Sequence, residues 1–183
     1  MQIPSFIQNT KYYFERVYRL GLKRDHQKLK VWKDLKRLHQ DAEWHSGIYE
    51  NEVYLETKFK LSEDRGGQFF YSTTEDEFIC KVSVVEDFPS DLTTDIFVLA
   101  SHFNNLLKNG VVSVHVQNRL IMYEIKSKLV VPLLYTGEIH HQILTHYNTA
   151  KDVHWAFEKL IQEGEYPAII ISDLLKMNDE KEK

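Results

Sequence analysis

The clearest pattern along the chain is a change of hydrophobic period within residues 90–135. Apolar side chains first recur at helical spacing, at Leu92, Ile96, Leu99, Phe103 and Leu106. This spacing predicts an amphipathic helix that ends at Asn109-Gly110. The period then drops to two, with one run at Val112, Val114 and Val116 and a second at Ile121, Tyr123 and Ile125. The change predicts a helix packed on an antiparallel hairpin.

Alternation of apolar and polar residues also marks the stretch before this helix. Three short alternating runs begin at Val53, Phe69 and Phe78, and turn-forming residues separate them. They predict a three-strand meander. Together with the hairpin they indicate an α+β fold, in which an antiparallel sheet of about five strands is covered on one face by helices.

Helical periodicity dominates both ends of the chain. Phe14, Val17 and Tyr18 share a face of a first predicted helix, and a second follows with Trp32 and Leu35 on its apolar side. The residues after the hairpin predict further helices as far as Lys176, one starting at Thr136 and a second at Thr149. For residues 168–176 a helix after Pro167 is preferred, and the isoleucine run 169–171 leaves a strand as the alternative.

The charge distribution divides the chain. The 183 residues carry a net charge of −4, but residues 1–47 carry ten Lys and Arg against five Asp and Glu. The first 47 residues are therefore at +5 and the remainder at −9. We predict three parts: a basic helical region over residues 1–48, an α+β domain over residues 49–176 and a disordered charged tail over residues 177–183.

The basic side chains of the two N-terminal helices form the one candidate binding face in the sequence. Its members are Arg16, Arg19, Lys23, Arg24, Lys28, Lys33, Lys36 and Arg37. An ordinary solvated helix surface explains such a face. The functional alternative is contact with phosphate or with a partner, for which clustered Lys and Arg are necessary but not sufficient.

No motif in the sequence indicates catalysis, cofactor binding or a metal site. Four histidines cluster within residues 140–154, but His141 and His146 are five residues apart and lie on different helix faces. The single cysteine, Cys80, excludes an internal disulfide and falls on a predicted strand, where a buried thiol is the simplest interpretation. The sequence therefore favours a non-enzymatic protein, with an enzyme of unrecognised class as an alternative.

Three segments carry a resemblance to a known family: IFVLASHFNNLLKNGVVSV, RLIMYEIKSKLVV and AFEKLIQEGEYPAII. The helix that ends through Asn104 to Gly110, the strand from Ile121 to Ile125 and the Gly164 to Pro167 turn resemble the YbjN-type family of sensory transduction regulators. That family is similar in fold to type III secretion chaperones. The resemblance covers about residues 50–176, and the long basic N-terminal region departs from it.

The resemblance implies a chaperone-like adaptor or regulator and no catalytic residues. Secretion chaperones of this fold are small, dimeric proteins that bind an extended segment of a partner, so we expect a protein partner, a homodimer or both. A nucleic-acid-associated regulator that uses the basic helices is the alternative. The absence of a signal pattern and of an apolar run of about 18 residues predicts a cytoplasmic protein without a membrane partner.

Overall fold

The computed structural model describes residues 5–181, without the side chains of residues 5–9, 11 and 181. Its helices are α1 (Ser5–Gly21), α2 (Arg24–Asp41), α3 (Thr93–Leu106), α4 (Val130–Leu134), α5 (Thr136–Glu158) and α6 (Pro167–Lys181). Its strands are β1 (Ser46–Tyr49), β2 (Tyr54–Lys60), β3 (Gly66–Thr73), β4 (Glu77–Glu86), β5 (Val111–His115) and β6 (Leu120–Lys128). The fold is therefore α+β, as the sequence predicts.

The six strands form one antiparallel sheet in the order β1-β2-β3-β4-β6-β5. The first four strands are a meander, and the β5–β6 hairpin joins it through β6, so β1 and β5 are the two edges. The meander has one strand more than expected. The additional strand β1 has only four residues, Ser-Gly-Ile-Tyr, and so short a run shows no legible alternation.

The core lies between one face of the sheet and the helices. Phe69, Cys80 and Tyr123 project from neighbouring strands on this face, as the cross-strand register shows, and all are fully buried. Helix α5 packs against β4 and β6, α2 against β3, and α3 against β5 and α6. Side chains on the opposite sheet face are only partly buried, because alternate residues of a strand point to opposite sides.

The N-terminal helices are not equivalent. Helix α2 places Val31, Trp32 and Leu35 in the same core as the sheet, so it is part of the α+β unit. The boundary expected near Gly47 falls within β1. The change from net positive to net negative charge near residue 47 therefore falls inside one packed structure.

The C-terminal region differs from its prediction in two details. Helix α5 continues through Thr149, where a new helix start was expected, because the segment contains neither a proline nor a helix-ending glycine before Gly164. Residues 168–176 are helical, and α6 continues to Lys181. Residues 177–181 of the predicted disordered tail are thus helical, whereas 182–183 lie outside the described residues. Among residues 5–181, no helix is long and apolar enough to cross a bilayer.

Candidate functional site

Arg19, a member of the predicted basic face, is buried inside the structure. Its guanidinium donates hydrogen bonds to Glu15 at 2.8 Å, to Asp34 of α2 at 2.6 Å and to the Leu133 carbonyl of α4 at 3.2 Å. Only 4% of the side chain is exposed. Arg19 therefore holds α1 against α2 and α4 and is not accessible to a phosphate group.

Four further members of that face also have intramolecular contacts. Arg24 pairs with Asp76, Lys36 pairs with Glu50 at 2.5 Å, and Arg37 lies 3.6 Å from Asp41. Arg16 donates to the Leu134 carbonyl and stacks 4.5 Å from the centroid of the Tyr135 ring.

Lys23, Lys28 and Lys33 complete the predicted face. Within residues 5–181 they make no ion pair. Three of the eight predicted residues thus keep a free charge, which is few for a surface whose affinity would come from several phosphate contacts.

Helix α1 packs on the rest of the domain through its polar side and exposes its apolar side. Its polar residues Arg16 and Arg19 face the domain, and the apolar residues on its other side face solvent. We call this second set the α1 stripe: Tyr13, Phe14, Val17, Tyr18 and Leu20, of which 64%, 65%, 50%, 65% and 50% is exposed. The sequence pattern predicts an apolar face correctly. It does not reveal that this face points outward, because periodicity cannot identify which side meets the core.

The two edge strands of the sheet differ in whether other groups cover their backbone N–H and C=O groups. At the β5 edge, the Asn104 side chain of α3 donates to the Val112 carbonyl at 2.9 Å and accepts from the Val112 N–H at 2.7 Å. One amide side chain thereby satisfies both backbone groups of Val112, as a neighbouring strand would. The β5 edge is therefore blocked at Val112.

The β1 edge has no such cover. Among residues 5–181, no side chain hydrogen-bonds to the backbone of Ser46–Tyr49, and the only extensive contacts of β1 are with β2. Ile48 and Tyr49 are 40% and 42% exposed and lie on opposite faces of the sheet. An uncovered edge strand presents unpaired N–H and C=O groups that can accept another strand.

A row of three aromatic side chains extends from this edge across the uncovered face of the sheet. The Tyr49 and Tyr54 rings stack with their centroids 4.3 Å apart, and Phe70 follows 6.4 Å from Tyr54. Farther along the same face, Glu124 lies between Lys81 at 2.9 Å and Lys126 at 2.6 Å. The side near β1 is therefore aromatic, and the side near β6 carries paired charges.

A second set of titratable groups lies inside the core. The His146 ring stacks on Tyr123 at 5.1 Å and lies 6.2 Å from Tyr71, whose ring is 5.6 Å from His39. Burial lowers the pKa of both histidines to about 4 and raises the pKa of the Cys80 thiol. These groups are neutral at pH 7, and we assign them to the core.

The described surface cavities are lined by other residues. One of about 350 Å³ lies between α1 and the start of α5, with Glu15, Arg16 and Glu138 in its wall. Another of about 590 Å³ lies beside Arg24 and Asp76, which pair with each other. Within residues 5–181, no group of three His, Cys, Asp or Glu side chains is arranged to hold a metal ion.

Comparison with known proteins identifies no family for this chain. No family model matches it, and no curated protein matches it significantly. The resemblance to the YbjN-type family therefore stays a prediction.

Proposed function

We propose that this protein is a non-enzymatic protein-binding module that accepts an extended segment of another polypeptide at the β1 edge. The observation that carries the proposal is the difference between the two sheet edges. Asn104 blocks β5, whereas the backbone of β1 is uncovered. A partner strand added at β1 would pair its backbone with an existing, ordered template.

The side chains around β1 fit such a partner. In strand addition the backbone supplies affinity, and pockets for alternate side chains supply specificity. Tyr49, Tyr54 and Phe70 form an aromatic surface on the open sheet face, beside the edge. Alternate apolar side chains of an added strand would contact this surface.

The positions of the titratable groups support a non-enzymatic function. His39, His146 and Cys80 have strongly shifted pKa values, which is typical of catalytic sites. All three lie in the core, however, and the described cavities are lined by other residues. Burial against aromatic rings accounts for the shifts without a catalytic role.

The test is capture of partners from the native lysate with two matched edge variants. Ile48→Lys introduces a charge at the open edge, and Val111→Lys introduces the same charge at the blocked edge; the two side chains are 40% and 45% exposed in the parent. We expect a discrete protein to be retained by the parent and by Val111→Lys, and to be lost with Ile48→Lys.

Nuclease treatment and salt separate this function from the nucleic-acid alternative. Binding at β1 survives nuclease and depends weakly on salt, since backbone hydrogen bonds and apolar contacts hold the partner. Capture that disappears with nuclease and weakens steeply as salt rises would indicate that the protein binds nucleic acid through Lys23, Lys28 and Lys33. Equal capture by both edge variants would also contradict the proposal.

A further inference from the structure

The α1 stripe is an apolar surface large enough to need a partner. It contains three aromatic side chains, each about two-thirds exposed, together with half-exposed Val17 and Leu20. Since an aromatic side chain can bury about 150–250 Å², the stripe offers roughly 500 Å² of contact surface. A standard interface buries about 800 Å² on each side, so the stripe could supply more than half of one.

The helix that carries the stripe is already fixed in position. Arg19 ties α1 to Asp34 and to the Leu133 carbonyl, and Arg16 binds the Leu134 carbonyl. These contacts all lie on the polar side of α1, opposite the stripe. Helix α1 cannot rotate to bury the stripe against the domain unless these contacts of Arg16 and Arg19 break. A partner therefore meets a preformed surface.

We infer that the α1 stripe packs against the α1 stripe of a second copy of this chain, with the two helices antiparallel. Val17 lies at the middle of the stripe, with Phe14 three residues before it and Leu20 three residues after it. About a two-fold axis at Val17, Phe14 of one copy faces Leu20 of the other. The stripe is thus self-complementary, as an isologous interface requires.

The glycine that ends α1 favours this pairing. Gly21 lies four residues beyond Val17 and therefore on the same side of the helix. A Cβ built at Gly21 meets no atom within 4 Å, so the space above it is open. About the same two-fold axis the residue opposite Gly21 is Tyr13 of the second copy, four residues before Val17, and its ring can occupy that space.

The composition of the stripe suits a second copy of the chain as the occupant. The stripe itself contains no charged residue, so two stripes meet without burying a charge. This inference does not depend on the β1 edge, which lies on the sheet.

Sedimentation velocity of the full chain at tens of micromolar tests the inference. We expect the parent to be a dimer and Val17→Glu to weaken its association at least about 30-fold, which is the effect of losing a central interface residue. Val116→Glu is the matched control, because Val116 is 47% exposed and lies in the β5–β6 turn. Rising salt should leave the dimer intact, since apolar contacts hold it.

Cross-linking provides a second test that does not require a destabilised interface. Cys80 is fully buried, so Val17→Cys supplies one accessible thiol per chain. A short bis-maleimide should link Val17→Cys into a covalent dimer and should leave the Val116→Cys control largely monomeric.

Four results would overturn the inference. They are a monomeric parent at tens of micromolar, a Val17→Glu protein that still dimerises as the parent does, equal cross-linking of the two cysteine variants, and a monomer that sediments with phosphatidylserine vesicles only when Val17 is present. The last result would assign the stripe to a lipid surface. Because Ile48→Lys leaves the stripe unchanged, loss of capture by that variant and loss of the dimer are separate outcomes.

Discussion

At the scale of single residues, the unusual feature is a set of polar groups sealed in an aromatic core. His146 is fully buried, and its Nε2 lies 3.3 Å from the Tyr123 carbonyl. His39 is also buried, with Nδ1 2.8 Å from the Ser46 hydroxyl. Each ring uses one nitrogen, and the other nitrogen has no hydrogen-bond partner among the described residues. Such a core accepts neutral histidine and disfavours its charged form.

The two histidines should make the fold sensitive to acid. Because burial lowers their pKa values to about 4 from an ordinary value near 6.5, the unfolded chain binds more protons than the folded chain between these limits. Stability is therefore complete above about pH 6.5 and is lost as pH falls towards 4. Each histidine should reduce the free energy of unfolding by about 2 kcal/mol between pH 7 and pH 5.

Urea unfolding at several pH values between 7 and 5 measures this loss. His146→Gln removes one titrating group and should flatten the dependence on pH, even if it lowers stability at pH 7. His141→Gln, which changes an exposed histidine of the same helix, is the control and should keep the parent's dependence. An unchanged slope in His146→Gln would show that folding does not lower the pKa of His146.

At the scale of elements, α3 shows how a helix is specified by its buried face. Leu99 and Phe103 are buried, whereas Val98, on the same helix, is 43% exposed. Leu99→Asp or Phe103→Asp would place an unpaired carboxylate in the core and should remove most of a stability that is typically about 5–15 kcal/mol. Val98→Asp should change the melting temperature only slightly. A cooperative melt near that of the parent in either core variant, measured by circular dichroism, would contradict this assignment.

Helix α1 depends on polar contacts where α3 depends on apolar ones. Arg19→Met leaves Asp34, a largely buried carboxylate, without its cationic partner and should lower stability by about 2–3 kcal/mol. It should also make α1 the first site of limited proteolysis, since its attachment to α2 and α4 is lost. Arg37→Met breaks an exposed pair with Asp41 and should cost less than about 1 kcal/mol. Equal effects of the two substitutions would contradict the role of Arg19.

The β5 edge depends on one side chain. Asn104→Ala removes both hydrogen bonds to Val112 and should lower stability by about 1–2 kcal/mol. It also exposes a second strand edge, so larger assemblies should appear in light scattering as concentration rises. Asn105→Ala, at the neighbouring exposed position, is the control. A variant that stays as stable and as small as the parent would show that Asn104 does not protect the edge.

At the scale of the whole molecule, the sequence predicts what depends on local periodicity. The α+β class and the α3–β5–β6 unit follow from the change of period at Gly110, where φ is positive and a close approach to Glu124 requires glycine. Three features depend on tertiary contacts and could not be predicted: the outward orientation of the α1 stripe, the burial of Arg19 and the protection of one edge by Asn104. Each of them arises between residues that are separated in sequence.

The distribution of charge also has a structural explanation. Two basic residues of the N-terminal helices pair with acidic groups after residue 47, Arg24 with Asp76 and Lys36 with Glu50. The excess of positive charge before residue 48 therefore helps to join these helices to an acidic sheet domain. The proposed binding function depends instead on the uncovered backbone of β1 and the aromatic side chains beside it.

Hydrogen exchange of the β1 amides tests the central proposal most directly. It should be measured on the free protein and on its complex with the partner retained in the capture experiment. We predict that the amides of residues 46–49 become protected in the complex, while those of β5 exchange as before, because the added strand hydrogen-bonds only to the open edge. Unchanged exchange at β1, with new protection on α1 or α2, would contradict the account and assign the partner to the helices.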